Sequence, residues 1–120
     1  MSRYFIPVVL TFANGADGPY YLQNPLQHPC VLRNVTGAAQ DAFGTDETVT
    51  ITENADSTAL GVMTFAGTIA AGDAGAWVEN TTTGDHIIGA DEVFCLTISN
   101  GSAVGQAFVT LELDDSCQET

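Results

Sequence analysis

Few side chains in this sequence have both the type and the spacing that chemistry requires. The densest group supplies oxygen and nitrogen donors within one short segment and consists of Asp85, His86, Asp91 and Glu92. Carboxylates on a loop are the ligands that Ca²⁺ prefers. The spacing, however, matches neither an EF-hand nor a glycine-rich nonapeptide repeat. The sequence therefore favours an acidic loop with a surface histidine, and it predicts no metal site.

Two further arrangements resemble catalytic pairs. His28 is followed by Pro29 and Cys30, but neighbours on an extended strand point apart, and no acid is placed to orient the imidazole. Asp114 and Asp115 are adjacent carboxylates, whereas glycoside hydrolysis needs two opposed carboxyl groups in different environments. The sequence therefore predicts neither an enzyme nor a bound cofactor.

The three cysteines, Cys30, Cys95 and Cys117, form no CxxC pair and no zinc-binding cluster. Cys95 lies in an apolar run and is predicted to be a small core residue, whereas Cys117 lies in a polar, acidic segment. We expect free thiols, which fit synthesis in a reducing compartment. A single bridge, either Cys30–Cys117 or Cys30–Cys95, is the alternative.

The balance of charge excludes several classes of partner. The chain contains no lysine, two arginines and fifteen acidic residues, which gives a formal net charge of -13. It is nevertheless 45% hydrophobic and only 14% charged, a composition typical of a folded domain rather than of a disordered acidic tail. Because so few cations cannot neutralise phosphates, we expect binding neither to nucleic acid nor to anionic membranes.

Three residues depart from the apolar pattern and are candidates for contact with a partner. Arg33 falls on the same strand side as Val31 and Val35, so it either pairs with a buried carboxylate of its own chain or protrudes at an interface. Phe108 lies opposite the apolar face of its strand, where a partner could cover it. Trp77, the only tryptophan, fits a core position or an interface and sugar-stacking position.

The N-terminal segment supplies the remaining interface candidates, Arg3, Tyr4 and Phe5. A cation followed by apolar residues is also typical of a signal peptide, but Pro7 interrupts the apolar stretch, which is short for a signal. We therefore predict a β-strand and no signal peptide. Pro7 indicates that this strand lies at a sheet edge or carries a bulge.

Apolar and polar residues alternate with a period of two throughout the chain, and no segment shows a helical period over three turns. Strands are predicted at residues 4–12, 20–23, 30–36, 47–53, 58–70, 76–79, 92–99 and 105–113, with a brief edge strand at 87–88. This pattern predicts an all-β, single-domain antiparallel β-sandwich of about eight strands over residues 1–120, jelly-roll-like or immunoglobulin-like. Residues 1–13 form an N-terminal strand or arm, and residues 114–120 form an acidic C-terminal tail.

Two hairpins are predicted. Residues 47–53 place Val49 and Ile51 inward and pair with 58–70, where a β-bulge near Gly61 would explain a shift of the apolar phase. Residues 92–99 and 105–113 are expected to pair as the closing hairpin. Residues 37–46 are predicted to form a loop.

From Tyr20 onward, the order of these features resembles that of a known group of proteins. The matching segments are a short aromatic strand, Pro29-Cys30-Val31, Thr48-Val49-Thr50-Ile51-Thr52 with Ala59-Leu60, Ala66-Gly67-Thr68, Gly89-Ala90-Asp91-Glu92-Val93 and Val109-Thr110-Leu111-Glu112-Leu113. They are similar to the capsid decoration, or cement, proteins of tailed phages, which are small β-sandwich virion proteins. Ala90 stands before Asp91 where such chains often have glycine.

The resemblance implies a non-enzymatic structural protein that binds the outer surface of a phage head and stabilises the shell by bridging capsid subunits. It implies the major capsid protein as partner, a homo-oligomer, with a trimer favoured, and synthesis in the host cytoplasm. Because the chain lacks cations, we expect the partner to supply Lys and Arg, and binding to weaken at high salt. The alternative is a receptor- or carbohydrate-binding module of a phage fibre or tail, with Trp77, Tyr20 or Tyr21 as stacking platforms.

Overall fold

Eight β-strands form the framework of the computed structural model, which describes residues 3–13, 19–54, 57–81, 86–98 and 104–115. In chain order they are β1 (Arg3–Ala13), β2 (Tyr20–Gln23), β3 (Val31–Ala39), β4 (Glu47–Glu53), β5 (Thr58–Phe65), β6 (Ala76–Glu79), β7 (Val93–Ile98) and β8 (Val104–Asp114). Within these ranges the chain has no helix capable of spanning a membrane.

The strands form two sheets. The small sheet has the order β1-β8-β3, and the large sheet has the order β2-β7-β4-β5-β6. Neighbouring strands are antiparallel in both, and alternate side chains of each sheet point into the space between the two. The predicted all-β antiparallel sandwich is therefore confirmed.

The core consists largely of the inward rows that the alternation predicts. Fully buried members from β4, β7 and β8 are Val49, Ile51, Phe94, Leu96, Val109, Leu111 and Leu113. Phe12, Phe43 and Phe65 add an aromatic cluster, with ring centroids 4.7 to 6.3 Å apart. Burying each such side chain contributes roughly 1.5–3 kcal/mol relative to leaving it in water.

The β-bulge predicted near Gly61 is confirmed. Ile51 pairs with Gly61 while Thr52 pairs with Ala59, so Leu60 is the extra residue in β5. The bulge lets both Leu60 and Gly61 turn inward. β5 then ends at Phe65, before the predicted end at residue 70.

The predicted closing hairpin is wrong, because β7 and β8 belong to different sheets. β7 pairs with β2 and β4, whereas β8 lies between β1 and β3. Alternation fixes which residues point inward but not which strand lies alongside. With the two strands in opposite sheets, their apolar rows face each other across the core.

β3 also differs from its prediction, because it continues to Ala39 into the segment expected to be a loop. Ala39 N–H donates to Asp73 C=O at 2.9 Å, and Gly75 N–H donates to Gly37 C=O at 3.0 Å. At the other end of β3, Cys30 forms a bridge with Ile88. The outer edge of β3 is thus covered at both ends, and the two sheets are joined along this side.

The acidic tail starts later than residue 114. Asp114 is the last residue of β8 and is only 2% exposed, and Asp115 is also buried. Both carboxylates contact basic side chains of the chain, which compensates for their removal from water. Residues 116–120 of the predicted tail lie outside the described residues.

Candidate contact surface

The outward face of the small sheet gathers exposed apolar side chains. We call ten of its uncharged outward residues the docking face, namely Phe5, Pro7, Val9 and Thr11 of β1, Asn34, Thr36 and Ala38 of β3, and Gln106, Phe108 and Thr110 of β8. Phe5, Val9 and Phe108 are 64%, 51% and 49% exposed. In register, Val9 and Ala38 lie on either side of Phe108. Apolar side chains therefore cross all three strands at the centre of this face.

The ten residues of the docking face are uncharged, and Glu112 lies between Phe5 and Asn34 at its border. Charges border this face at both ends. Arg3, Arg33, Glu112 and Asp114 cluster where β1 begins, and at the other end Asp41 Oδ2 accepts a hydrogen bond from Gln106 N–H at 2.9 Å. Arg3 pairs with Glu112, and Arg33 Nε donates to Asp114 Oδ2 at 3.1 Å, with Arg3 Nε 3.6 Å from the same oxygen. An apolar patch bordered by polar and charged residues is the usual composition of a protein–protein contact.

Every arginine and histidine of the chain contacts one of its own carboxylates. Besides the two arginines, His86 Nε2 lies 2.5 Å from Glu53 Oε1, and His28 Nε2 lies 3.7 Å from Asp115 Oδ2. Because there is no lysine, these internal pairs engage all the basic side chains. Electrostatic attraction to a partner must therefore come from cations that the partner supplies.

The edge of β1 is protected against pairing with another strand. Thr11 N–H donates to the Tyr20 hydroxyl at 3.1 Å, and that hydroxyl donates to Thr11 C=O at 3.0 Å, so these backbone groups point away from β8. By the alternation of an antiparallel ladder, Pro7 faces the same edge and has no N–H to offer. Binding to the face of this sheet is consequently favoured over backbone pairing along its edge.

The structure places the predicted interface residues at three locations. Phe5 and Phe108 lie on the docking face. Arg3 and Arg33 lie in the adjacent charge cluster, where Arg33 takes the in-chain pairing that the sequence left open. Tyr4 is on the other side of β1, with its ring edge-on to His28 at 6.4 Å.

Trp77 lies away from the docking face, on β6 in the large sheet. Its ring is partly buried against the core and packs over Gly61. The other two proposed stacking residues, Tyr20 and Tyr21, differ in how they face solvent. The Tyr20 hydroxyl is hydrogen-bonded to β1, whereas Tyr21 is 63% exposed. Of the three platforms suggested for sugars, Tyr21 is the one that presents its ring to solvent.

The described side chains of the acidic segment, His86, Asp91 and Glu92, form no cluster for a metal ion. His86 contacts Glu53, and Glu92 Oε1 accepts a hydrogen bond from Gly89 N–H at 2.5 Å, while Asp85 lies outside the described residues. Among the described residues, no three His, Cys, Asp or Glu side chains are grouped for a metal ion.

Sequence reasoning missed that Glu47 and Glu53 are buried at the two ends of β4. Their inward direction was readable, because they alternate in phase with Val49 and Ile51.

His86 is expected to stabilise the fold through its contact with the buried Glu53. Replacing His86 by alanine should lower the free energy of unfolding by about 2 kcal/mol, because a hydrogen bond to a buried charged group is lost. His28→Ala is the matched control, since its 3.7 Å contact with Asp115 should contribute less than about 1 kcal/mol. Urea denaturation of both variants measures the difference, and equal losses would contradict a specific role for His86.

Cys30 and Cys95 are both buried, and no disulfide joins them. Cys95 Sγ lies 3.5 Å from Thr97 Oγ1 on its own strand. Cys95 is buried, as predicted, but on the outward side of β7 beside Tyr21 and Thr52 rather than between the sheets. Cys117, the other partner considered for a bridge, lies outside the described residues.

No protein-family model and no curated protein matches this sequence. Among solved structures, the chain is similar to the virus-like particle of extra small virus from the giant freshwater prawn Macrobrachium rosenbergii, determined by cryo-EM. The sequences are 12% identical, the match covers 94% of this chain and 79% of the other, and the TM-score is 0.39. A similarity of this size transfers no function to this chain.

Proposed function

We propose that the protein is a structural virion component, a decoration or cement protein that binds the outer surface of a tailed-phage head through its docking face. The observation that carries the proposal is the row Val9, Phe108 and Ala38 across the small sheet, with Phe5, Val9 and Phe108 exposed, on a chain of net charge -13. Removing such a patch from water is favourable, and large patches of this kind usually mark contact sites. Synthesis in the host cytoplasm, without a signal peptide, belongs to the same proposal.

The size of the docking face sets the strength of a single contact. Three strands about 4.8 Å apart, with about seven residues at 3.3 Å each, give a face of roughly 330 Å². A stable complex buries about 800 Å² on each partner, so one docking face binds weakly. On a symmetric shell, however, repeated contacts between linked subunits increase the overall affinity strongly. This matches a protein that acts in many copies.

The charge of the chain defines the partner. Because internal carboxylates engage the chain's own basic side chains, the capsid surface should present apolar residues surrounded by Lys and Arg. Such a rim attracts the acidic protein over distances that salt limits to about 8 Å at physiological ionic strength. The apolar centre then provides most of the contact energy, and the rim provides rate and selectivity.

Phe108→Ser tests the docking face directly. We expect at least about tenfold weaker binding to shells that lack the protein, because a central aromatic residue often contributes more than about 1.4 kcal/mol to a contact. Ile87→Ser is the matched control, because Ile87 is 47% exposed, against 49% for Phe108, and lies outside the docking face. Co-sedimentation of purified protein with such shells gives both affinities.

The same assay at two salt concentrations separates the apolar and electrostatic contributions. Between about 0.1 M and about 1 M salt, the screening length falls from about 10 Å to about 3 Å, and binding should weaken accordingly. The proposal is wrong if unmodified protein does not bind the shells. It is also wrong if Phe108→Ser and Ile87→Ser reduce binding equally.

A further inference from the structure

The outward face of the large sheet is also uncharged on its three central strands, β7, β4 and β5. We call it the threonine face, because threonines dominate its three central strands. In register, one row across the sheet contains Thr97, Thr50, Val62 and Val78, and the next contains Tyr21, Cys95, Thr52 and Ala59. Thr48 and Thr64 pair in a third row. The docking face therefore has an uncharged counterpart on the opposite side of the sandwich.

The two margins of the threonine face have complementary shapes. On β2, at one margin, Tyr21 projects with 63% of its surface exposed. At the other margin, β5 and β6 enclose an apolar depression of about 220 Å³, lined by Ala59, Gly61, Val62, Val78, Glu79 and Asn80. Strand order places β4 midway, with two strands on either side. The projection and the depression are thus symmetrically placed about β4.

We propose that two copies of this chain pack threonine face against threonine face, with Tyr21 of each copy in the depression of the other. A two-fold axis parallel to β4, lying between the sheets, carries β2 of one copy onto the position of β6 of its partner. The same rotation keeps each residue at its level along the strands. Tyr21 lies in the same row as Ala59, which lines the depression, so it meets the depression of the partner. Both contacts form at once, as a closed two-fold interface requires.

The chemistry of this surface favours a second copy as the occupant. A threonine hydroxyl both donates and accepts hydrogen bonds, so a threonine-rich face is complementary to itself. Two chains of net charge -13 can approach closely only through surfaces without carboxylates on their central strands. At the margin, Glu79 of one copy can accept a hydrogen bond from the Tyr21 hydroxyl of the other.

The expected affinity follows from the area. Five strands about 4.8 Å apart and about six residues long give roughly 475 Å² per copy, well below the about 800 Å² that a stable complex buries on each partner. Pairing in solution should therefore depend on concentration, and it becomes dominant where copies are held close together. The inference does not depend on the docking face, because it concerns the protein alone.

Sedimentation equilibrium of the full chain, up to millimolar concentration, tests the pairing. Tyr21→Lys and Val78→Glu should each weaken self-association at least about tenfold, because a charge then enters an apolar contact. A mixture of the two variants should associate again, since Lys of one copy then faces Glu of the other while the second contact stays native. This recovery cannot come from variants that have lost their fold.

The controls place equal charges on the opposite side of the sandwich. Thr36→Lys and Thr36→Glu, on the docking face, should leave self-association unchanged. The inference is overturned if the unmodified protein stays monomeric, if it forms trimers, or if the mixture fails to recover. Loss of self-association in the Thr36 variants would overturn it as well. Shell binding is measured separately, so its failure would not affect these results.

Discussion

Asp114→Ala should lower the free energy of unfolding by about 3 kcal/mol, through loss of charge-assisted hydrogen bonds to a buried carboxylate. Asp114 is 2% exposed, and its Oδ2 lies 3.1 Å from Arg33 Nε and 3.6 Å from Arg3 Nε. The two arginines come from β1 and β3, on either side of β8. This carboxylate therefore links all three strands of the small sheet at one end.

Glu112→Ala provides the matched control for Asp114. Its carboxylate also pairs with Arg3 on the same sheet face, but the two side chains are 20% and 40% exposed. Because this ion pair is more exposed than Asp114, it should contribute no more than about 1 kcal/mol, so this variant should remain closer to the unmodified protein in urea denaturation. If both variants lose the same stability, burial of Asp114 does not have the effect assigned to it.

The burial of Asp114 was hidden in the sequence for a physical reason. Adjacent carboxylates near a chain end are usually solvated, which led to the prediction of an acidic tail from residue 114. What keeps Asp114 in the sheet is contact with Arg3 and Arg33, which are far away in sequence. A local sequence pattern contains no information about a contact between residues so far apart in the chain. The sequence also placed Arg33 on the side of Val31 and Val35, but the register shift between Leu32 and Asn34 changes the phase there.

Strand positions and inward rows were predictable because alternation is a local property. β4 and β8 show this best, since Val49 and Ile51, or Val109 and Leu111, differ clearly from their polar neighbours. Strand partners are a global property, and the prediction of a closing hairpin failed for that reason. The choice of sheet for β7 and β8 depends on which arrangement buries both apolar rows, and turn residues alone do not determine it.

The candidate contact surface was predictable only where one residue broke a pattern. Phe108 stood out because it lies opposite the apolar row of β8, and its exposure on the small sheet agrees. Val9 and Ala38 gave no such signal, because they become its neighbours only through the register of β1 and β3. The threonine face gave no signal either, because its rows form only through the register of β4 with β5 and β7.

The structure shows where on the surface the net charge of -13 is located. Exposed carboxylates in the described ranges lie on loops or at strand ends, for example Asp41, Asp46, Asp73 and Asp91. The two broad faces of the sandwich are left uncharged at their centres. The perimeter can therefore repel other acidic chains and keep the protein soluble, while contacts are made through the faces.

Gly61→Ala should destabilise the protein by about 3 kcal/mol, at the upper end of what overpacking costs. A Cβ at this position would lie 2.4 Å from Trp77 Cη2 and Cζ2, and 2.7 Å from the Val78 carbonyl oxygen. The ring and the backbone of β6 would both have to move. Because Trp77 is the only tryptophan, its fluorescence reports the displacement as well as the unfolding transition. Ala59→Ser, at an exposed position of the same strand, should change neither signal appreciably.

A second substitution separates the ring contact from the backbone contact. Trp77→Phe removes the two ring carbons that meet the new methyl group, and it costs little in hydrogen bonding, because within the described residues Trp77 Nε1 has no acceptor. In the double variant, the contact with the Val78 carbonyl remains, so about half of the lost stability should return, with a coupling of about 1–2 kcal/mol between the neighbouring sites. Additive losses in chemical denaturation would mean that Trp77 does not pack over Gly61. In that case Trp77 would again be available as a stacking residue at the surface.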